Sequence, residues 1–270
     1  MSDAPSLMAW CLPWRHGGLL RQFVRRQVLA RYRGTLLGVT WSLLTPLLMM
    51  TVYTLVFRFV FKLRWEGGAD TGFDFALRLF AGMTVFGFFS ESLMRSPTLI
   101  LEQPNLIKKV VFPVEIMAWV NCLSGLVFAL PGVLLLLLAC LVMGVSVAPA
   151  WLSLPLIWLP LLPLLLGLGW FFSALGVYVR DVGQVLGLAV TLLQFLSPVF
   201  YPLSAVPPLF RSVMMINPLT PVIEQTRAAI FAGQWPDIGT LSLEFLVCGI
   251  VAISGAWVFA RLRSGFADVL

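Results

Sequence analysis

Few residues in this 270-residue chain are able to do chemistry, and their spacing rules out most reactions. The single histidine, His16, cannot assemble a metal site alone. Cys11, Cys122, Cys140 and Cys248 form no CxxC pair and read as inert thiols, three of them within apolar runs. No GxxxxGK[ST] loop is present to cradle nucleotide phosphates, and neither HExxH nor GxSxG occurs. Glu91 is the acidic residue that falls clearly inside an apolar run. Arg95 follows it by four residues, the order that favours an ion pair on one helix. A membrane-embedded glycosyl- or acyltransferase would present carboxylates or histidines together on one face, and no such set is found. The chain is therefore expected to perform no catalysis itself.

What remains is a pair of helical stripes. Gln184, Gly187, Thr191, Gln194 and Pro198 recur at spacings of three and four, so they share one face. Thr84, Phe88, Glu91 and Arg95 do the same. Polar groups at membrane depth either line a wet pathway or join helices through hydrogen bonds, and the first stripe is open to both readings. Gly34 and Gly38 form a GxxxG, a spacing that permits a close helix contact.

The elements that carry these stripes follow from composition. Sixty per cent of the residues are hydrophobic and only 11% are charged, against about a quarter in soluble domains. The apolar runs are continuous and not alternating, which selects helices over a barrel. The expected fold is an all-α polytopic membrane protein with about six transmembrane helices, over residues 36–61, 77–94, 114–145, 150–179, 182–200 and 241–260. Residues 1–34 form an N-terminal segment, 35–263 the transmembrane domain and 264–270 a short tail. The net charge of +6 is a topological signal, not a sign of a nucleic-acid partner. Arginines crowd the N-terminal segment, and Lys108, Lys109, Arg180, Arg261 and Arg263 fall in loops on the same side. By the positive-inside rule both termini lie in the cytoplasm of a bacterial inner membrane.

Gly17–Tyr32 reads as a basic amphipathic interface helix. Arg21, Arg25 and Arg26 stand off its apolar face, within reach of membrane lipids, so the helix serves as an anchor or a docking element. Asn105, Leu106, Ile107, Lys108, Lys109, Val110, Val111 and Phe112 lie between Pro104 and Pro113 in a basic loop. They form a short helical lever able to take a push from a soluble partner, or a plain connector. Residues 197–235 hold six prolines and apolar pieces too short to span, which points to re-entrant or surface helices on the outer side.

Five segments together resemble the permeases of polysaccharide ABC exporters, which move O-antigen, teichoic acid or capsule chains. They are RRQVLARYRGTLLGVTWSLLTPLL (25–48), NLIKKVVFPVE (105–115), YVRDVGQV (178–185), SPVFYP (197–202) and NPLTPVIEQTR (217–227). The resemblance implies a homodimer served by two copies of a separate ABC ATPase subunit. ATP and Mg²⁺ would bind there, with no cofactor on this chain. It implies that 105–112 is the ATPase-coupling helix and that paired outer gate helices lie between the last two spans. It also implies a channel with aromatic rings, for which Trp41, Phe57, Phe88 and Tyr201 are candidates beside Gln184, Thr191 and Gln194. The cargo implied is a lipid-linked polysaccharide, O-antigen first. A permease for a small drug or lipid would share the fold.

Overall fold

The structure is a computed structural model and describes residues 16–34, 36–56, 72–103 and 112–269. The described residues hold helices and no strand. In chain order they are α1 (Gly17–Tyr32), α2 (Trp41–Leu55), α3 (Gly72–Arg95), α4 (Ile116–Val142), α5 (Leu154–Trp158), α6 (Leu161–Tyr178), α7 (Val182–Phe195), α8 (Pro208–Ile216), α9 (Leu219–Phe231), α10 (Ile238–Leu262) and α11 (Phe266–Val269).

Four stretches are long and apolar enough to cross a bilayer: Phe73–Thr98, Ile116–Val142, Pro149–Tyr178 and Ile238–Gly265. They contain α3, α4, α5 with α6, and α10. Two shorter apolar helices, α2 and α7, have 15 and 14 residues. Each covers only about 21–23 Å of a core about 30 Å thick. α7 stops at Phe195, short of the expected residue 200. Pro198 has no N–H to continue the ladder and pushes its predecessor away from helical angles. At the other extreme α3 begins at Gly72, five residues before the expected start. Asp74 accepts a 2.9 Å hydrogen bond from Arg78, and the arginine also lies over the Phe231 ring. These charges are satisfied within the helix and against a neighbour, so the turn that carries them stays helical.

One end of the bundle is basic, with Arg180, Arg261 and Arg263 beside α1. The other is called the far end below. The core sits among α3, α4, α6 and α9, around Phe88, Leu136, Ile157, Trp170 and Ile223. α6 and α10 run side by side in the same direction, because Gly167 meets Gly255 mid-helix and Tyr178 at the end of α6 donates to the Leu262 carbonyl. A β-carbon on either glycine would strike the other helix's backbone. Small residues thus let two backbones touch where lipid offers no hydrophobic drive for association. Near the basic end Asn121 donates to the Ser92 carbonyl at 2.7 Å, and Arg263 pairs with Glu115 at 3.2 Å. Asp237 caps α10 by accepting from the backbone N and hydroxyl of Thr240, and these two bonds hold its carboxyl below the usual range.

Gly34 and Gly38 make no close helix contact. They have φ of 83° and 52°, and no neighbour lies within 4 Å of an added β-carbon. They are turn residues that let the chain leave α1 and rise into α2.

The α6–α10 contact predicts a selective effect. Gly255→Val should lower the thermal unfolding midpoint of the purified protein, at a cost of about 1–3 kcal/mol. Gly249→Val, on the same helix with open space around it, should leave the midpoint unchanged. Equal midpoints for the two variants would show that the glycine contact carries no packing energy.

Candidate functional site

The interior offers a cavity flanked by two polar clusters. A cavity of about 300 Å³ opens between α1, α2, α3 and α4. Trp41, Thr45 and Met49 of α2 form one wall, and Thr84, Phe88 and Glu91 of α3 form another. Two of the expected aromatic channel residues, Trp41 and Phe88, therefore face one space. Phe88 is fixed there by stacking on Trp158, with ring centroids 5.9 Å apart and planes within 9°.

At the basic end the cavity is bordered by an ion pair. Arg31 of α1 pairs with Glu91 of α3, and the same guanidinium lies 4.2 Å from the centre of the Phe128 ring. Glu91 thus pairs across to α1 and not with Arg95 on its own helix, while Arg95 sits against Gln27. The interhelical pair wins because α1 brings its last turn directly over Glu91. Below the pair lies a second, more polar cavity of about 590 Å³, lined by Arg26, Gln27, Arg95 and Glu102 among others. Arg31 and Glu91 line both spaces, so their pair is the partition between them.

α1 has no buried residue and is held by these side-chain contacts. Phe23 meets Phe112 at 5.4 Å, just before α4, and Tyr32 meets Phe128, about three turns further along α4. The helix climbs obliquely along α4. Phe112 is the described member of the coupling set. Asn105, Leu106, Ile107, Lys108, Lys109, Val110 and Val111 lie outside the described residues, as does Phe57.

The far end is organised by Arg227 of α9, which is 4% exposed. Its Nε donates to the Arg78 carbonyl at 2.9 Å. Nη1 donates to the Pro198 carbonyl at 2.5 Å and to Glu224 at 2.9 Å, and Nη2 to the Val199 carbonyl at 2.7 Å. A β-carbon at Gly82 would come within 2.6 Å of Nη2, so the glycine makes room for the cation. Beside it Asn217 donates to the Ser197 hydroxyl at 2.8 Å and accepts from the Leu219 N–H. Tyr201, another expected channel residue, gives its hydroxyl to the Phe195 carbonyl. The segments 197–202 and 217–227, separate in sequence, form one hydrogen-bonded unit. The role of Arg227 escaped the sequence reading. Its signal was a cation three residues after Glu224 in an otherwise apolar, proline-bounded stretch.

The α7 stripe does not join the cavity. Gln184 and Thr191 are exposed on the surface of the single chain and Gln194 is half-buried, while Thr191 satisfies its hydroxyl on the Gly187 carbonyl. Glu244 of α10 is a further residue the sequence reading passed over. It lies within a span, is 5% exposed, and neither oxygen has a hydrogen-bond partner among the described residues.

Among the described residues no cluster of His, Cys, Asp or Glu has metal-binding geometry. Comparison with known proteins agrees with a transport role. Residues 18–231 match the family described as ABC-2 type transporter. The O-antigen export system permease protein RfbA of Myxococcus xanthus is 29% identical, covering 94% of this chain and 96% of that protein. Its namesake in Klebsiella pneumoniae is 24% identical over 93% and 95%. The polysialic acid transport protein KpsM of Escherichia coli is 25% identical over 77% of this chain and 79% of its own.

The Arg227 cluster predicts a graded loss. Arg227→Leu leaves three buried carbonyls and Glu224 without their donor and should destabilise the protein by about 3–5 kcal/mol. Arg227→Lys keeps the charge but cannot serve carbonyls on three sides, so it should fall between the two. Unfolding midpoints in detergent read the series. A lysine variant as stable as the parent would show that charge alone matters.

Proposed function

Because the chain belongs to the ABC-2 type transporter membrane family, we propose that it is the permease subunit of an exporter that carries a lipid-linked polysaccharide, O-antigen, across the bacterial inner membrane. The observation that carries the cargo is the end-to-end likeness to permeases named for O-antigen export. Capsule export is the second reading. It is favoured by the likeness to a polysialic acid transport protein, which covers less of the chain.

In this reading the basic end faces the cytoplasm, as the positive-inside rule requires, with both termini there. Two copies of a separate ATPase bind ATP and Mg²⁺, and their closure pushes the coupling segment 105–112. The push reaches α1 through the Phe112–Phe23 ring contact. α1 then shifts, the Arg31–Glu91 partition opens and the two cavities join into one passage. No bond in the cargo is made or broken.

Assembly follows from the α7 stripe. Gln184 on a lipid-facing surface would be costly, and a second copy of the chain covers it together with Thr191 while leaving a polar seam between the two. α8 and α9, with Arg227 at their root, act as the outer gate over that seam.

Two experiments test this reading. Removing the chain from its host should abolish surface polysaccharide and leave lipid-linked polymer inside, and the intact chain should restore export. Parental surface polymer in its absence would overturn the proposal. For the seam, Gln194→Leu combined with Thr191→Leu should cut export while dimer yield in detergent stays near the parent's. An interhelical hydrogen bond in membranes is worth only about 0.6 kcal/mol, whereas apolar side chains dewet a narrow passage. An export loss that merely tracks dimer loss would make the stripe structural.

A further inference from the structure

The part of α1 that precedes the Arg31–Glu91 partition borders a different space. A cleft of about 490 Å³ separates α1 from α4. Leu20, Val24 and Val28 form its α1 wall, and Leu123 and Val127 its α4 wall. Arg21 and Arg25, one helical turn apart, also line it. Both arginines are exposed, and neither has an ion-pair or hydrogen-bond partner among the described residues. α1 contains no acidic residue to neutralise them.

The cleft does not end blindly. Val127 is 38% exposed, and from it Leu130, Leu134, Leu138 and Leu141 continue at helical spacing as an exposed apolar ridge along α4. α4 is one of the helices that cross the bilayer, so this ridge meets hydrocarbon. The space thus has two unneutralised guanidinium groups at its rim, apolar walls, and an apolar track leading into the membrane. That sequence of environments matches one amphiphile, a phosphate headgroup followed by an acyl chain.

We infer that the α1–α4 cleft is a binding site for an anionic phospholipid of the surrounding bilayer, with Arg21 and Arg25 holding its phosphate and the chain lying along Val127 and the α4 ridge. On α1 the site is formed by residues 17–29, and it does not include the Arg31–Glu91 pair. It fixes α1 against α4 from the lipid side, as the Phe23 and Tyr32 ring contacts fix it from within.

The test uses the purified full-length chain in neutral detergent, titrated with phosphatidylglycerol or phosphatidylcholine, with bound lipid counted by native mass spectrometry. One phosphatidylglycerol per chain should be retained, about thirty-fold more tightly than phosphatidylcholine, the value of two cations at ~1 kcal/mol each. Arg21→Gln with Arg25→Gln should erase that preference. Arg26→Gln with Arg33→Gln removes the same charge away from the cleft and should preserve it. Val127→Trp, which fills the cleft without touching charge, should also release the lipid. Equal loss in both arginine pairs would overturn the site in favour of diffuse surface attraction. Undiminished retention in Val127→Trp would place the lipid elsewhere. Displacement of phosphatidylglycerol by inorganic phosphate alone would reduce the cleft to a free-anion site and refute the lipid assignment.

Discussion

Backbone carbonyls that leave a helix inside a membrane have no water to turn to, and the far end of this bundle is built around that constraint. Pro198 and Pro202 break the chain after α7 and strip away N–H donors where the carbonyls of Pro198 and Val199 point inward. One guanidinium answers them. Arg227 reaches both, reaches a carbonyl of α3 as well, and balances its charge on Glu224. An ammonium cannot fan out in this way, and an amide lacks the donors. The position of α9, the absence of a side chain at Gly82 and the attachment of the Pro198–Val199 turn to α3 all follow from seating this one group.

Around that anchor the helices divide by how tightly they are held. α3, α4, α6 and α9 bury long series of residues against one another, and α10 is locked to α6 backbone against backbone. α1 and α2 bury none, and α7 buries three. Of these loosely packed helices, α1 and α2 border the cavity and α7 carries the exposed polar stripe. In a bundle that must change shape, the elements with few buried contacts are the ones free to move. The Arg31–Glu91 pair is suited to that flank: partly exposed ion pairs contribute little net stability, so they reform at small cost.

Much of this was legible in the chain itself, for physical reasons. Continuous apolar runs in a chain so poor in charge announce spanning helices, and prolines at 198, 202, 207 and 208 announce where spanning stops. α1 begins and ends at the residues expected, Gly17 and Tyr32, with the positive-φ Gly34 just beyond its end. What periodicity could not show was which face meets which neighbour. Glu91 and Arg95 satisfy the local ion-pair rule, yet the pair that forms joins helices sixty residues apart. Gly34 and Gly38 have helix-contact spacing but serve a turn, whereas the closest contact falls at Gly167 and Gly255, which share no motif. Glu244 went unread because its run looked uniformly apolar around it. Trp41 and Phe88, separated by forty-seven positions, converge on one cavity only after α2 and α3 pack.

The Gly167–Gly255 contact also bears on how the protein is made. Ribosomes deliver α6 to the membrane well before α10, with α7, α8 and α9 between them. Until α10 arrives, the groove at Gly167 is open to acyl chains or to a wrong helix. The α6–α10 contact is therefore completed only after α7, α8 and α9 have been made. A chain cut short before α10 keeps its Arg227 cluster and its cavity walls but lacks the post that α6 leans on. Cellular quality control thus has a simple feature to read: a glycine-lined groove left unfilled in the bilayer.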